Sequence, residues 1–153
     1  MLYLRNLVFT ILHPGIVAGL IPYWIIGFDN FTLTDFGILD YFGIAVLLAG
    51  LIILFACIYR FARFGKGTLS PADPTKNLVI SGLYRYSRNP MYVGVIMILL
   101  GECLLSGSTR LAGYTVLIFL LFHLFILYFE EPRLERDFGK DYDRYKRSVR
   151  RWI

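Results

Sequence analysis

Four long apolar runs separated by short polar segments set the pattern of this chain, at roughly residues 7–28, 41–62, 91–105 and 111–129. Crossing a bilayer core takes about 20 apolar helical residues, so these runs reach spanning length or come near it. The third is short and is expected to tilt little or to borrow flanking residues. Pro14, Gly15, Gly19, Pro22 and Gly27 are expected to bend the first or to let a neighbour approach closely. That run lacks a small-residue cleavage site and exceeds a usual signal core, so it reads as a retained helix.

Between the second and third runs, the segment from Gly65 to Asn89 opens with the turn-rich GKGTLSPADPTKN, where Pro71 and Pro74 oppose regular structure. After the fourth run the pattern changes. Leu134, Phe138, Tyr142, Tyr145, Val149 and Trp152 recur every three or four residues in a strongly charged tail, which predicts an amphipathic helical segment divided at Gly139. Such a tail lies at the lipid interface, folds over the other helices as a lid, or does both, its aromatic members buried against the loop and Arg147, Arg150 and Arg151 facing anionic head groups. The predicted fold is all-α: a single polytopic membrane domain over residues 1–153 with about four transmembrane helices, a cytosolic loop and this C-terminal segment.

Composition agrees with lipid as the solvent. The chain is 57% hydrophobic and 17% aromatic with a mean hydropathy of +0.59, too apolar for a soluble domain of 153 residues. With the N-terminus inside, fifteen of the 16 Lys and Arg residues fall on the inner side and only Arg110 falls outside. Both termini and the candidate site are therefore expected in the cytosol. The first outer connection holds Asp29, Asp35 and Asp40 together with an Asn-Phe-Thr sequon at Asn30. A net charge of +5 is thus a membrane signature and speaks against a nucleic-acid partner. Cys57 and Cys103 fall toward opposite ends of their runs, which argues against a disulfide, and no metal-ligand cluster is visible.

Candidate chemistry starts in SGLYRYSRNPMYVG, Ser81 to Gly94, which places basic and aromatic residues directly before the third run. Asn89 and Pro90 read as N-cap and first residue of a helix, whose open N–H groups favour an anion. Glu130 and Glu131 end the fourth run. They face an unfavourable dipole end if the helix stops there, and a favourable one if Pro132 starts a new helix. The topology brings the Arg85 to Tyr92 and Glu130 to Phe138 segments to the same face, where a zwitterion would be held at both its ammonium and its carboxylate. His123 lies seven residues before Glu130, two turns up the same face of a continuous helix, and is either a proton acceptor or an interhelical hydrogen-bonding residue. Glu102 is too far from this face to belong to it, and His13 fits no catalytic pattern.

The stretch LVISGLYRYSRNPMYVG, followed by the fourth run and EEPRLERDFGKDYDRYKRSVRRW, resembles the isoprenylcysteine carboxyl methyltransferase family and its phospholipid methyltransferase relatives. The resemblance spans Leu78 to Trp152 and includes the spacing between the two motifs. It implies an integral-membrane methyltransferase that uses S-adenosylmethionine, enclosed between transmembrane helices, cytosolic loop and C-terminal segment, with the cofactor-binding part over about residues 76–152. Lys76, Asn77, Leu78 and Val79 would border the cofactor and Tyr84 would contact it. Arg88, Asn89, Pro90, Met91 and Tyr92 would form part of its surface, and Glu130 would hold the methionine ammonium. Glu131 would support Glu130, and Glu131 and His123 are the candidate catalytic groups.

Two positions depart from the prenylcysteine enzymes. Asn89 stands where those enzymes typically have His, and Ile126 stands where they place an Arg for the substrate carboxylate. The expected function is therefore methyl transfer from S-adenosylmethionine to a lipidic or amphipathic small acceptor at the cytosolic membrane face. The alternatives are prenylcysteine carboxyl methylation, a sterol-reductase-like membrane oxidoreductase using a nicotinamide dinucleotide, and a non-catalytic membrane scaffold.

Overall fold

The computed structural model describes residues 13–27, 37–64 and 77–153. These residues form five helices and, among them, no strand: α1 (His13–Ile26), α2 (Ile38–Phe64), α3 (Pro90–Ser106), α4 (Thr109–Phe138) and α5 (Lys140–Ser148). A short 3-10 turn, Gly82–Arg85, precedes α3. The sequon at Asn30, most of the turn-rich loop, and Lys76 lie outside the described residues.

α2 and α4 each contain a stretch long and apolar enough to cross a membrane, whereas α1 and α3 are shorter apolar helices. Leu48, Ile52 and Phe55 of α2, and Leu117, Leu120 and Leu124 of α4, leave large apolar side chains exposed on the outside of the bundle. A soluble surface rarely carries such a patch.

The bundle is held by one apolar cluster, Ala18, Leu54, Val95, Ile98, Leu99 and Ile118, to which α1, α2, α3 and α4 all contribute. The tightest contact is between α2 and α3, where glycines let the two backbones touch. A Cβ on Gly50 would lie 2.8 Å from the Gly94 carbonyl, and one on Gly101 would lie 2.8 Å from the Gly43 carbonyl. Gly43 and Gly50 on one helix, and Gly94 and Gly101 on the other, are seven residues apart and so share a face.

Two helices depart from regular α geometry, each beside a proline. In α1 a π turn covers Ile16–Leu20, with Ala18 at φ −110° and ψ 15°. Pro22 has no N–H for the carbonyl four residues back, and the nearby Val17 carbonyl is taken by the Tyr114 hydroxyl at 2.9 Å. This is the bend expected from the Pro and Gly content of the first run. In α4 the chain runs as α-helix over Thr109–Phe125, makes a π turn over Ile126–Glu130, and resumes α-helix over Glu131–Phe138.

The π turn corrects the expectation of a helix end at the acidic pair. A wide turn accommodates the ring and missing N–H of Pro132, so the helix continues, with Glu130 and Glu131 both in right-handed helical conformation. Neither terminal dipole acts on them directly. Gly139, with φ +50°, then separates α4 from α5, as its place in the tail predicted.

α5 lies against the loop before α3. Tyr142 and Tyr145 are buried, and Leu134, Phe138, Val149 and Trp152 are half-buried. Beyond α5 the backbone turns extended at Val149 (φ −129°, ψ 133°), and the final residues run back along Ser87–Asn89.

Candidate functional site

The floor of the site is built where α2 meets the loop. Cys57 is fully buried and packs with Val79 and Tyr84, with Ile53, Leu83 and Met91 around them. Arg60, one turn further along α2, donates to the Ser81 hydroxyl at 3.3 Å and lies against Gly82, whose φ of +65° only glycine adopts readily. Burial pushes the Tyr84 phenol well above its ordinary value, and the Tyr84 carbonyl accepts the Tyr145 hydroxyl at 2.6 Å. The 3-10 turn is thus pinned from α2 below and α5 above. Of the residues expected to border the cofactor, Val79, Tyr84 and Met91 come together here, Leu78 is half-buried, and Asn77 is exposed.

Asn89 occupies the N-cap position of α3 and Pro90 its first turn, but the Asn89 side chain caps nothing. This corrects the N-cap reading. Its Nδ2 instead donates to the Arg151 carbonyl at 3.0 Å, and its own N–H donates to Ser87 Oγ at 3.1 Å. Among the described residues, the first turn of α3 therefore has no side-chain acceptor for its free N–H groups, although Asn89 itself is buried. Helix ends left in this way need some other partner.

Across from this turn, the Tyr92 hydroxyl donates to Glu130 Oε2 at 2.9 Å, and the Tyr92 ring packs against Phe122 with centroids 4.7 Å apart. Tyr84 and Tyr92 both lie within electrostatic reach of Glu130. Arg88 is folded inward, its side chain only 8% exposed, with a contact of 3.1 Å to Glu131 and with Nε lacking a hydrogen-bond partner among the described residues.

Adjacent to Glu130 in sequence, Glu131 has a different environment. Arg151 forks onto it, Nε to Oε1 at 2.7 Å and Nη2 to Oε2 at 3.0 Å, while Arg88 lies at 3.1 Å and Lys146 at 3.7 Å. Its side chain is 5% exposed, so it is a buried carboxylate met by three cations. The same fork holds the Arg151 guanidinium above its ordinary pKa. Burial pushes the Tyr142 phenol, which accepts from Arg88 at 3.4 Å, up to about 12. Arg151 therefore faces inward and not toward head groups, whereas Arg147 and Arg150 are exposed.

His123 is reached by the next residue of the tail. The Trp152 indole N–H donates to His123 Nδ1 at 3.2 Å, and the two rings stack with Phe119 beside them. His123 and Glu131 are eight residues apart, two α turns plus the one residue added by the π turn, so the consecutive residues Trp152 and Arg151 reach both. His123 thus aligns with Glu131 and not, as a regular helix predicts, with Glu130.

Chemically, one face presents a carboxylate (Glu130), uncapped helix N–H groups (α3), an inward guanidinium with a spare N–H (Arg88) and aromatic faces (Tyr84, Tyr92, Phe122). Sequence reasoning missed the roles of Arg151 and Lys146 on Glu131. Their only signal was the excess of basic residues in the tail.

A family model described as phospholipid methyltransferase matches residues 38–141, from the start of α2 into α5. Over 64 residues the chain is 44% identical to an uncharacterized protein of Haemophilus influenzae (strain ATCC 51907 / DSM 11121 / KW20 / Rd), a match covering 41% of this chain and 100% of that protein. No solved structure matches. The match over the Ser81–Gly94 segment and the acidic pair, together with two helices long and apolar enough to cross a membrane, makes this a membrane methyltransferase: the chain belongs to the phospholipid methyltransferase family.

Proposed function

We propose that the chain transfers a methyl group from S-adenosylmethionine to a lipidic or amphipathic acceptor at the cytosolic face of its membrane. The observation that carries this reading is the pairing of Glu130 with an uncapped, buried α3 N-terminus on one face. An amino-acid moiety needs those two ends: a carboxylate for its ammonium, and N–H donors for its carboxylate. The residues present fit the group. Arg88 Nε adds an unused donor, and Tyr84, Tyr92 and Phe122 supply ring faces of the kind that attract a cation. When bound, S-adenosylmethionine supplies an electrophilic methyl on a sulfonium.

In this reading Glu130 holds the ammonium, and Tyr92 orients the Glu130 carboxylate by its hydrogen bond. Asn77, Leu78, Val79 and Met91 border the ligand from the loop and the head of α3, as does Lys76 from the resemblance. Asn89 and Pro90 contribute through their place at the start of that helix. Glu131, saturated by Arg151, Arg88 and Lys146, holds the tail against the site. His123, with Nδ1 occupied as an acceptor, offers a hydrogen bond from Nε2 when neutral. Transfer to a nucleophile needs alignment and a dry site more than covalent help from the protein.

All four apolar helices α1 to α4 are read as crossing the bilayer, with the chain termini and the site on the cytosolic side. The basic asymmetry motivates that orientation. The exposed apolar faces of α2 and α4 suit an acceptor whose tail stays in lipid. Purified protein is expected to bind S-adenosylmethionine and its demethylated product and to transfer label from the former to a native lipid extract. Preference for a nicotinamide dinucleotide, or binding of neither ligand, would favour the oxidoreductase or the scaffold instead.

A further inference from the structure

The last residues of the chain make an unusual set of attachments. Arg151 binds Glu131 through its guanidinium, and its carbonyl accepts Asn89 Nδ2 at 3.0 Å and Ser87 Oγ at 3.4 Å. The Arg150 carbonyl accepts the Arg88 N–H at 2.9 Å, and Trp152 is tied to His123. Side chains thus anchor the strap to α4, while its main chain occupies the polar groups just before α3. The consequence falls on Asn89. An asparagine at a helix start ordinarily turns its carboxamide onto the first-turn N–H groups, and here that side chain is drawn away to Arg151.

The geometry points to Arg151 and Trp152 as positioning residues for the cofactor site: they hold the strap that keeps Asn89 from capping α3, and so keep the first-turn N–H groups free for an anionic ligand. This rests on the cofactor reading above and adds two residues that the motif comparison did not place. Glu131 acts in the same direction, as the anchor for Arg151. Releasing the anchor lifts the carbonyl that Asn89 uses, and its carboxamide then competes with the ligand for the same donors. Removing the Asn89 side chain removes that competitor.

The test is binding of S-adenosylhomocysteine to the full-length protein in lipid nanodiscs, measured for wild type, Arg151→Gln, Asn89→Ala and the double variant. Arg151→Gln is expected to bind at least about ten-fold more weakly. Asn89→Ala is the reference background of the cycle: Arg151→Gln introduced into it is expected to cost about three-fold or less, against the ten-fold or more in wild type, a non-additive coupling that a general structural role does not produce. Trp152→Phe keeps a ring beside Phe119 and loses the N–H. It provides the same cycle should Arg151→Gln fail to fold, with a smaller loss that Asn89→Ala again relieves.

Additive weakening in both double variants would overturn the proposal, as would wild-type affinity in both single anchor variants. Wild-type protein that binds no S-adenosylhomocysteine would remove the cofactor reading itself and this inference with it, an outcome distinct from binding that is indifferent to the anchors.

Discussion

Tyr92 and Glu130 meet across the α3–α4 interface, the phenol of one donating to Oε2 of the other at 2.9 Å, while the very next carboxylate, Glu131, is claimed by three cations. Successive helical residues point about 100° apart, so two adjacent residues of the same type, one closing the π turn and one following it, meet different neighbours. Glu131 ties the tail to the bundle, whereas Glu130 meets the Tyr92 hydroxyl and is, in the proposed reading, the group that holds the ligand ammonium.

Substitution separates the two. Glu131→Gln leaves Arg88 and Arg151 without their anion, and Arg88 is almost fully buried. Removing one partner of a buried pair costs roughly 3 kcal/mol or more. A marked fall in melting temperature in detergent or nanodiscs is expected, and a wild-type melting curve would show that the network contributes little.

Glu130→Gln should melt close to wild type, because the Tyr92 hydroxyl can still donate to the amide oxygen. It should weaken S-adenosylmethionine binding by about 1.5 to 3 kcal/mol, the scale of a hydrogen bond to a charged group. Unchanged affinity in a folded variant would take Glu130 out of the site.

How much of this was legible in the sequence follows from what each signal measures. Apolar runs measure solvent: α2 and α3 appear within a few residues of where the runs placed them, and α4 starts there too but continues nine residues past the end of its run, to Phe138. The stripe through Tyr142 and Tyr145 measures burial, and both are buried. Charge counting measures side of the membrane and is blind to a basic residue folded back onto its own protein, so Arg151 was read as facing lipid. Local capping rules take no account of a carbonyl arriving from 62 residues away, so Asn89 was read as a cap. At Pro132 the sequence offers a helix end or a new helix start and not a continuous helix, because a π turn that absorbs a proline has no fixed sequence signature. The glycine pairs of α2 and α3 were visible in spacing, but only the facing backbones show which neighbour they admit.

Those glycines carry a prediction of their own. A Cβ on Gly101 would lie 2.6 Å from Leu47 Cβ and 2.8 Å from the Gly43 carbonyl, so the helices must separate. Gly101→Leu is expected to destabilise by about 1 to 3 kcal/mol or more, the usual cost of overpacking. Thermal unfolding checks it, with Gly113→Leu as control, since nothing lies within 4 Å of that position. Equal effects at the two sites would contradict the close packing.

Orientation is tested with cysteines. In a background lacking Cys57 and Cys103, single cysteines at the exposed positions Thr109 and Asp141 should react with an impermeant reagent from opposite sides of sealed vesicles. Reaction from the same side would refute the proposed crossing of α4.

Ile126 is fully buried at the start of the π turn, where prenylcysteine enzymes place an arginine by resemblance. A substrate carboxylate brought there would lose its hydration without gaining a charged partner, a penalty of several kcal/mol. Turnover of a farnesylcysteine analogue is expected to be negligible beside that of a neutral or amine-bearing lipid; efficient methyl-ester formation would mean another cation serves the role.

The central claim is methyl transfer from S-adenosylmethionine by way of Glu130. Its most direct test is incubation of purified wild type and Glu130→Gln with methyl-labelled S-adenosylmethionine and a native lipid extract, followed by counting label in the lipid fraction. Label is expected in lipid with the wild type, with a loss of about ten-fold or more with Glu130→Gln at limiting cofactor, the rate equivalent of the affinity change above. Label absent from lipid with folded wild type, or transferred equally well by the variant, would contradict it.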